Sequence, residues 1–348
     1  MMSWIGGAID KINADYQRSS DTHLIKLEGL RFDGIDIYLK DESTHPTGSL
    51  KHRLARSLFL YALCNGKIKQ GTTIVEASSG STAVSEAYFA RMLGLPFIAV
   101  MPSSTAQSKI RQIELYGGQC HFVSCATLMH EEAIRVAQQT GGYFMDQFLY
   151  AERATDWRGS NNIAESMFGQ MALEPHPVPH TVIMGAGTGG TSATIGRFIR
   201  YKGLNTRLVV VDPEFSAFHD GYHLRDNTIQ MNRGSRIEGI GRPKVEASFQ
   251  PDVIDDVWRV PDAASVATIH WLYQLTGRKA GPSTGTNLWG ALNVAQTMQS
   301  KGEKGSIVTL MCDGGERYSQ TYFDLDWVEK EIGSIDEYLK QLYDLPSS

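Results

Sequence analysis

The chain has 348 residues, of which 42% are hydrophobic and 20% are charged, an ordinary composition for a globular protein. Single domains usually contain about 100–200 residues, so this length favours two packed domains. The net charge is −5, and the sequence has no block of Lys or Arg. It therefore lacks the usual signature of a protein that binds nucleic acid or an anionic membrane surface. We therefore expect a small-molecule partner.

The N-terminus, Met1–Trp4, lacks a basic region followed by an apolar run, and the longest apolar stretch, Leu93–Met101, is too short to cross a bilayer. No membrane contact and a cytoplasmic location are therefore expected. The cysteines match neither a zinc site nor a dense disulfide framework, so we expect free thiols. His121, Cys125 and His130 have the residue types of a metal site, but a strand and a helix would point them in different directions, and no metal is predicted.

Apolar, β-rich runs alternate with helical patterns along the chain. The predicted strands fall at residues 35–40, 73–76, 97–101, 120–124, 181–184, 208–211 and 307–311. Predicted helices lie near residues 50–65, 82–93 and 191–201. A further helix is predicted to begin at residue 105, and another is predicted to end at residue 139. This rhythm indicates an α/β fold with parallel sheets flanked by helices. The Pro-rich residues 174–179 mark a loop, and a domain boundary is expected a little earlier, near residues 150–157.

Three loops rich in Gly, Ser and Thr each open a predicted helix, at residues 77–82, 185–191 and 281–286. Ligands of open parallel sheets sit at the carboxyl ends of strands, so these loops are the candidate binding sites. Residues 185–191 fit G-x-G-x-x-G, with Asp212 placed as a ribose acid, which is typical of a dinucleotide site. The hydroxyls of Thr188 and Thr191 suit a terminal monophosphate instead, and a tight turn without any ligand is the third hypothesis.

Lys51 lies one residue into a predicted helix that Ser49 would cap. The positive end of the helix dipole disfavours an ammonium group and helps to supply the neutral amine that a Schiff base requires. A solvated lysine in a first helical turn is the alternative interpretation of this segment taken alone.

Residues 45–53, His-Pro-Thr-Gly-Ser-Leu-Lys-His-Arg, resemble the lysine motif of the cysteine synthase family, the fold type II enzymes that use pyridoxal phosphate (PLP). Residues 77–82 resemble the family's substrate-carboxylate loop, and residues 187–191 its phosphate loop. Residues 281–286 resemble the family's loop whose first hydroxyl contacts the pyridine nitrogen of PLP. The four motifs follow the family's order, and residues 77–82 and 238–243 look closest to cysteine desulfhydrase-like members.

The resemblance implies a role for each matching residue. Lys51 would bind PLP as the Schiff-base lysine and remove the Cα proton of the substrate. The phosphate would be held by Gly187, Thr188, Gly189, Gly190 and Thr191, and the substrate carboxylate by Ser79, Gly80, Thr82 and Gln147. Ser283 would contact the pyridine nitrogen. Ser81 stands where the family commonly has Asn, at the position that bonds the phenolic oxygen of PLP, and its shorter side chain would need a bridging water.

The neutral hydroxyl of Ser283 would not hold the pyridine nitrogen protonated, so prompt loss of a β-substituent is favoured over transamination. The expected reaction is β-elimination on L-cysteine through an aminoacrylate, releasing sulfide, pyruvate and ammonia. Cysteine synthase activity, by β-replacement on an O-acylated serine such as O-acetylserine, is the close alternative. A serine or threonine dehydratase and a catalytically silent binding protein are the remaining hypotheses.

The resemblance also implies a two-domain architecture like that of the tryptophan synthase β subunit. A small domain of residues 46–154 would be inserted into a large PLP-cradling domain of residues 1–45 and 155–348, with PLP in the cleft and a homodimer as the assembly. Two secondary residues have two interpretations each. Asp220 either assists a water or thiol nucleophile or is a solvated loop carboxylate, and Gly239 either approaches the substrate amine by its backbone or forms an ordinary turn.

Overall fold

The computed structural model describes residues 3–18, 21–159 and 162–346. The chain divides into a first unit, Met1–Asp21 with His45–Thr155, and a second unit, Thr22–Thr44 with Asp156–Ser348. This differs from the predicted division in the N-terminal segment, which was expected in the large domain. Helix α1 (Trp4–Arg18) buries Ala8 and Ile12 in the core of the first unit, so this segment belongs there. The four terminal residues, Met1, Met2, Ser347 and Ser348, lie outside the described residues.

The helices in chain order are α1, α2 (Lys51–Cys64), α3 (Ser81–Leu93), α4 (Gln107–Leu115), α5 (Met129–Thr140), α6 (Gln147–Ala154), α7 (Ile163–Met171), α8 (Gly190–Lys202), α9 (Phe218–Leu224), α10 (Asp262–Thr276), α11 (Pro282–Lys301), α12 (Leu325–Glu331) and α13 (Asp336–Tyr343). The strands are β1 (His23–Lys26), β2 (Ile35–Asp41), β3 (Ile74–Ala77), β4 (Phe97–Pro102), β5 (Gln119–Val123), β6 (Tyr143–Phe144), β7 (Thr181–Gly185), β8 (Arg207–Pro213), β9 (Asp256–Val260) and β10 (Gly305–Met311). Each predicted strand is present, with ends within two residues of those expected.

The first unit contains a four-stranded sheet in the order β5-β4-β3-β6, and its paired strands are all parallel. Its core joins Phe59 of α2, Phe89 of α3 and Ile74 of β3, each fully buried. Helices α2 and α3 meet through this apolar layer, and burial of such side chains contributes about 1.5–3 kcal/mol each. The layer therefore fixes the starts of α2 and α3 relative to strand β3.

The second unit contains a six-stranded sheet in the order β1-β2-β10-β7-β8-β9, in which only the edge pair β1–β2 of the described strands is antiparallel. The chain proceeds from β7 to β8 and β9 on one side, whereas β10 lies on the other side of β7. Strand order thus reverses between β7 and β10. The loops after these two strands leave the sheet at its topological switch point, where parallel sheets bind ligands.

Asp212, near the end of β8, is fully buried. Its Oδ2 accepts a hydrogen bond from the backbone N–H of His219 at 2.8 Å, which ties the start of α9 to the strand. A dinucleotide site needs an accessible carboxylate at this position to bind ribose, and Asp212 offers none. Burial raises the pKa of the Asp212 carboxyl to about 7, so the group keeps its proton in the folded chain well above its ordinary titration range.

We expect Asp212→Asn to remove part of the pH dependence of stability. Between about pH 4 and pH 7 the unfolded chain loses the Asp212 proton and the folded chain retains it, so the free energy of unfolding falls as pH rises, by at most about 1.4 kcal/mol per pH unit. Urea unfolding at pH 5 and pH 7 measures this slope. Relative to the wild type, the free energy of unfolding of Asp212→Asn should be higher at pH 7 than at pH 5. The same difference between variant and wild type at both pH values, or an equal rise in the exposed control Asp33→Asn, would contradict the assignment.

Candidate functional site

Helix α2 begins at Lys51, one residue after the predicted start at residue 50. The chain reaches it through a turn in which Gly48 has φ +73° and donates its N–H to the carbonyl of His45 at 2.7 Å. Ser49 does not cap the helix. Its side-chain hydroxyl is buried without a hydrogen-bond partner among the described residues, and its carbonyl accepts the N–H of His52 at 3.1 Å instead. The expected cap is thus replaced by a tight backbone turn, in which Leu50 already has helical dihedral angles.

A buried polar contact fixes the segment that carries Lys51. The hydroxyl of Thr47 lies 2.9 Å from Ser85 Oγ on helix α3 and 3.2 Å from His52 Nδ1 on helix α2. The His52 ring packs at 4.9 Å from the ring of Phe89, measured between centroids. Thr47, Ser85 and His52 are all buried. These contacts restrict the first turn of α2 and so the direction in which the half-buried Lys51 leaves the backbone.

The loop between β3 and α3 contains the predicted carboxylate-binding residues of the first unit. Gly80 donates its N–H to Ser78 Oγ at 3.2 Å, and Thr82 donates its hydroxyl to Gln147 Oε1 at 2.7 Å. Thr82 and Gln147 are buried, whereas Ser79, Gly80 and Ser81 are partly exposed at the start of α3. The first N–H groups of a helix have no partner within the helix, so this loop presents donors suited to a carboxylate.

Glu76, which the sequence analysis did not single out, is a further part of this loop's support. It is fully buried in β3, where Oε1 accepts the N–H of Ala77 at 2.7 Å and Oε2 accepts the N–H of Gln147 at 3.2 Å. The detectable signal was a charged residue inside the otherwise apolar run of β3, because buried carboxyl groups need hydrogen-bond partners. Glu76 therefore links the start of the loop to the start of helix α6.

In the second unit, the predicted phosphate loop connects β7 to α8. Gly189 has φ +90°, and a Cβ atom added there would lie 2.5 Å from Phe249 Cα, so only glycine fits the turn. Thr188 is buried, and its Oγ1 accepts the N–H of Gly190 at 3.2 Å. The loop offers backbone N–H groups, threonine hydroxyls and the positive end of helix α8, and it contains no carboxylate. This set of donors fits a phosphate group.

Ser283 and Gly239 lie close to each other in the second unit. Ser283 is buried in the first turn of α11, and a Cβ atom added to Gly239 would lie 3.9 Å from its hydroxyl oxygen. Gly239 itself is exposed and has φ +91°. Two residues later, Gly241 donates its N–H to the carbonyl of Ala186 at 2.8 Å. The structure thus brings the segment of Gly239 together with both Ser283 and the start of the phosphate loop.

Asn287 joins the same elements and was missed by the sequence analysis. Its Oδ1 accepts the N–H of Gly185 at 2.6 Å, and its Nδ2 donates to the carbonyl of Leu310 at 3.0 Å. The side chain thus connects α11 to the ends of β7 and β10. The available signal was its place in the helix, four residues after Ser283 and therefore on the same face.

Asp220 lies on α9 as a half-exposed carboxylate. Its Oδ1 is 2.8 Å from His219 Nδ1 and accepts a hydrogen bond from Arg259 Nη2 at 2.7 Å. The hydrogen bond with His219 makes the largest contribution, with Arg259 after it, to holding the pKa of the Asp220 carboxyl below its ordinary value. The carboxyl group is therefore ionised at neutral pH. A role beside a nucleophile stays a prediction, but the geometry replaces the hypothesis of a simple solvated carboxylate with that of an oriented ion pair.

The other predicted features have ordinary surroundings. His121 pairs with Glu132, and His130 lies 3.5 Å from Asp146. Within residues 3–18, 21–159 and 162–346, no group of three or more His, Cys, Asp or Glu side chains could hold a metal ion. The same ranges contain no helix that is both long and apolar enough to span a membrane.

Residues 17–313 match the family model described as pyridoxal-phosphate dependent enzyme. The L-cysteine desulfhydrase Cds1 of Mycobacterium tuberculosis is 59% identical over 94% of this chain and 90% of its own length. A cysteine synthase of Aquifex aeolicus is 28% identical over 82% of this chain and 83% of its own length.

Solved structures agree with this relationship. A hydrogen sulfide-producing enzyme from Fusobacterium nucleatum superposes with a TM-score of 0.81 at 25% identity, covering 97% of both chains. An O-ureido-L-serine synthase superposes with a TM-score of 0.78 at 25% identity, covering 96% of this chain and 98% of its own. The predicted α/β architecture of a fold type II PLP enzyme is thereby confirmed. The chain belongs to the family of pyridoxal-phosphate dependent enzymes.

Proposed function

We propose that this chain is a PLP-dependent L-cysteine desulfhydrase, a carbon–sulfur lyase that converts L-cysteine and water into sulfide, pyruvate and ammonia. The observation that carries the proposal is its 59% identity to an L-cysteine desulfhydrase over 94% of the chain. The structural similarity to a hydrogen sulfide-producing enzyme supports the same reaction. Cysteine synthases in the comparison are more distant, at 28% identity or less for those of Aquifex aeolicus and Neurospora crassa.

When bound, PLP supplies an electron sink that lets an amino acid lose its Cα proton and its β-substituent. Lys51 is proposed to attach the cofactor through Nζ and, once released, to take the Cα proton at that atom. Its position in the first turn of α2 favours a neutral amine, because the positive end of the helix dipole disfavours an ammonium group. The contacts of Thr47 with Ser85 and His52 would hold the amine in one direction.

The loop of residues 78–82 is proposed to bind the substrate carboxylate. Ser79, Gly80 and the backbone N–H of Thr82 would donate hydrogen bonds, and Gln147, whose Oε1 accepts the Thr82 hydroxyl, would donate through its amide nitrogen. This orientation of the Gln147 amide matters, because a reversed side chain would present an oxygen to an anion. Ser81 would reach the phenolic oxygen of PLP through a water.

In the second unit, Gly187–Thr191 is proposed to hold the cofactor's phosphate with backbone N–H groups and the hydroxyls of Thr188 and Thr191. Ser283 would place its buried hydroxyl at the pyridine nitrogen. A neutral oxygen there does not enforce protonation of the ring, which favours rapid loss of the β-substituent. Gly239, close to Ser283, would present backbone groups to the substrate amine.

β-Replacement to make cysteine is the second candidate, because a cysteine synthase and an O-ureido-L-serine synthase also match most of the chain. In either reaction, Asp220 is proposed to orient a nucleophile as part of its ion pair with Arg259. We also propose that the enzyme forms a homodimer, as the family resemblance implies, and that it acts in the cytoplasm.

Purified holoenzyme given L-cysteine alone should release sulfide and pyruvate in equal amounts, because elimination followed by hydrolysis needs no second substrate. A sulfide electrode and a coupled pyruvate assay measure the two products. Lys51→Ala should lower the rate by several orders of magnitude. Production of cysteine from O-acetylserine and sulfide, with no sulfide release from cysteine alone, would favour the synthase instead.

Gly189→Ala should weaken cofactor binding, because a side chain at φ +90° and 2.5 Å from Phe249 Cα must displace the phosphate loop. The loss can be measured by titrating apoenzyme with PLP and following the visible absorbance, and a change of about tenfold or more in affinity is expected. The matched control is Gly203→Ala at the end of the same helix α8, where φ is +62° and an added Cβ meets no atom within 4 Å. Equal PLP affinity of the wild type and Gly189→Ala would contradict the assigned role.

A further inference from the structure

The segment that contains Gly239 has a flexible backbone and needs support from other parts of the second unit. Gly239 has φ +91° and Gly241 has φ +74°, and glycine loses more conformational freedom on folding than any other residue. Ile237 and Ile240 are buried in the core of the second unit, whereas Gly239 is exposed. Residues 237–241, which we call the glycine segment, therefore present Gly239 outward from a backbone that other elements must fix.

The hydroxyl of Tyr322 binds the backbone at the start of the glycine segment. It donates a hydrogen bond to the carbonyl of Arg236 at 2.6 Å and accepts the N–H of Glu238 at 3.2 Å. The second of these bonds fixes the residue that directly precedes Gly239. At its other end, the glycine segment is fixed by the hydrogen bond from Gly241 to the start of the predicted phosphate loop. Tyr322 thus supplies the support on the side of Gly239 away from that loop.

The side chain of Arg236 joins the same backbone to three other elements. Its Nε donates to Oδ2 of the buried Asp262 of α10, and its Nη2 donates to Glu214 Oε2 after β8, each at 2.9 Å. Its Nη1 donates to the carbonyl of Glu331 at the end of α12 at 2.9 Å. A guanidinium group presents its donors in a rigid plane, so three such bonds leave it little freedom. The carbonyl that Tyr322 binds therefore belongs to a residue that is itself fixed.

Contacts of its backbone and of its ring hold Tyr322 in place. Its carbonyl accepts a hydrogen bond from His270 Nε2 of α10 at 2.8 Å. Its buried ring packs in T-shaped contacts with the rings of Tyr318 and Trp327, whose centroids are 5.5 Å and 4.9 Å away. Aromatic pairs favour this edge-to-face arrangement. The position of the Tyr322 hydroxyl is therefore well defined, and it sets the position of the glycine segment.

These contacts come from residues 316–331, which lie outside the family match that ends at residue 313. The same residues also contact the start of helix α11. Tyr318 donates its hydroxyl to Asp313 Oδ2 at 2.6 Å. The carbonyl of Asp313 accepts the N–H of Gly281 at 3.1 Å, two residues before Ser283. One short part of the chain thus joins the glycine segment to the helix start that carries Ser283.

We propose that Tyr322 is a positioning residue: its hydroxyl holds the glycine segment so that the backbone at Gly239 meets the amine of the substrate. The proposal rests on the proposed function of Gly239. Without the hydroxyl, the carbonyl of Arg236 and the N–H of Glu238 lose this partner. The glycine segment then gains freedom and binds the substrate amine more weakly, whereas the loop proposed to bind the carboxylate keeps its own hydrogen bonds.

Tyr322→Phe removes the hydroxyl and keeps the buried ring. The matched control is Tyr38→Phe, which removes the hydroxyl of another buried tyrosine of the second unit, where it donates to Glu174 Oε2 at 2.8 Å. Two probes separate the amine from the carboxylate: L-alanine has both groups and no leaving group, and propionate has the carboxylate alone. L-Alanine binding to each holoenzyme is followed by the visible spectrum, and propionate binding by its competition with L-alanine.

We expect Tyr322→Phe to weaken L-alanine binding and to raise KM for L-cysteine about tenfold, with propionate binding and PLP affinity changed by less than about twofold. Tyr38→Phe should match the wild type in all four measurements. Unchanged L-alanine binding in Tyr322→Phe, or losses of equal size for L-alanine and propionate, would overturn the proposal.

Hydrogen–deuterium exchange tests the position of the glycine segment without relying on turnover. In Tyr322→Phe, a peptide that contains residues 237–241 should exchange about tenfold faster than in the wild type, while peptides from β7 and β10 keep their protection because the variant is folded. Unchanged exchange of residues 237–241 would overturn the proposal. If L-cysteine yields no sulfide while the exchange and L-alanine results are as expected, the proposed reaction is wrong and the role of Tyr322 stands.

Discussion

The geometry of the proposed active site depends on where helix α2 begins. Lys51, in the first helical turn and three residues after Gly48 with φ +73°, lies at the positive end of the helix dipole. The buried Thr47 hydroxyl joins this turn to Ser85 of α3. Since α3 begins at the proposed carboxylate loop, one short polar contact relates the amine that would react to the donors that would orient its substrate.

In the second unit, too, buried side chains fix the loops that precede helix starts. The loops proposed to bind the cofactor leave the sheet where strand order reverses between β7 and β10, and Asn287 hydrogen-bonds to the ends of both strands. The predicted phosphate loop passes so close to Phe249 that Gly189 has no room for a side chain. The anion binding proposed for each unit would therefore rely on backbone donors at helix starts, and buried side chains set the geometry of those donors.

The strands, the helix starts and the Gly-rich loops could be predicted from the sequence because their signals are local. Lys51, Gly189 and Ser283 belong to short motifs of this kind. The helix cap assigned to Ser49 was wrong, since the turn before α2 uses its carbonyl rather than its hydroxyl. Glu76 and Asn287 were missed because each hydrogen-bonds to a residue that is distant in sequence, and only the folded chain brings them together.

The proposed chemistry requires that Lys51 Nζ binds PLP covalently. Reducing the holoenzyme with sodium borohydride converts a lysine–PLP double bond into a stable amine, and mass spectrometry of a proteolytic digest then locates the modified residue. We expect the added cofactor mass on the peptide that contains Lys51 and its loss from that position in Lys51→Ala. An unmodified Lys51 peptide, with the cofactor mass on another lysine such as Lys109, would contradict it.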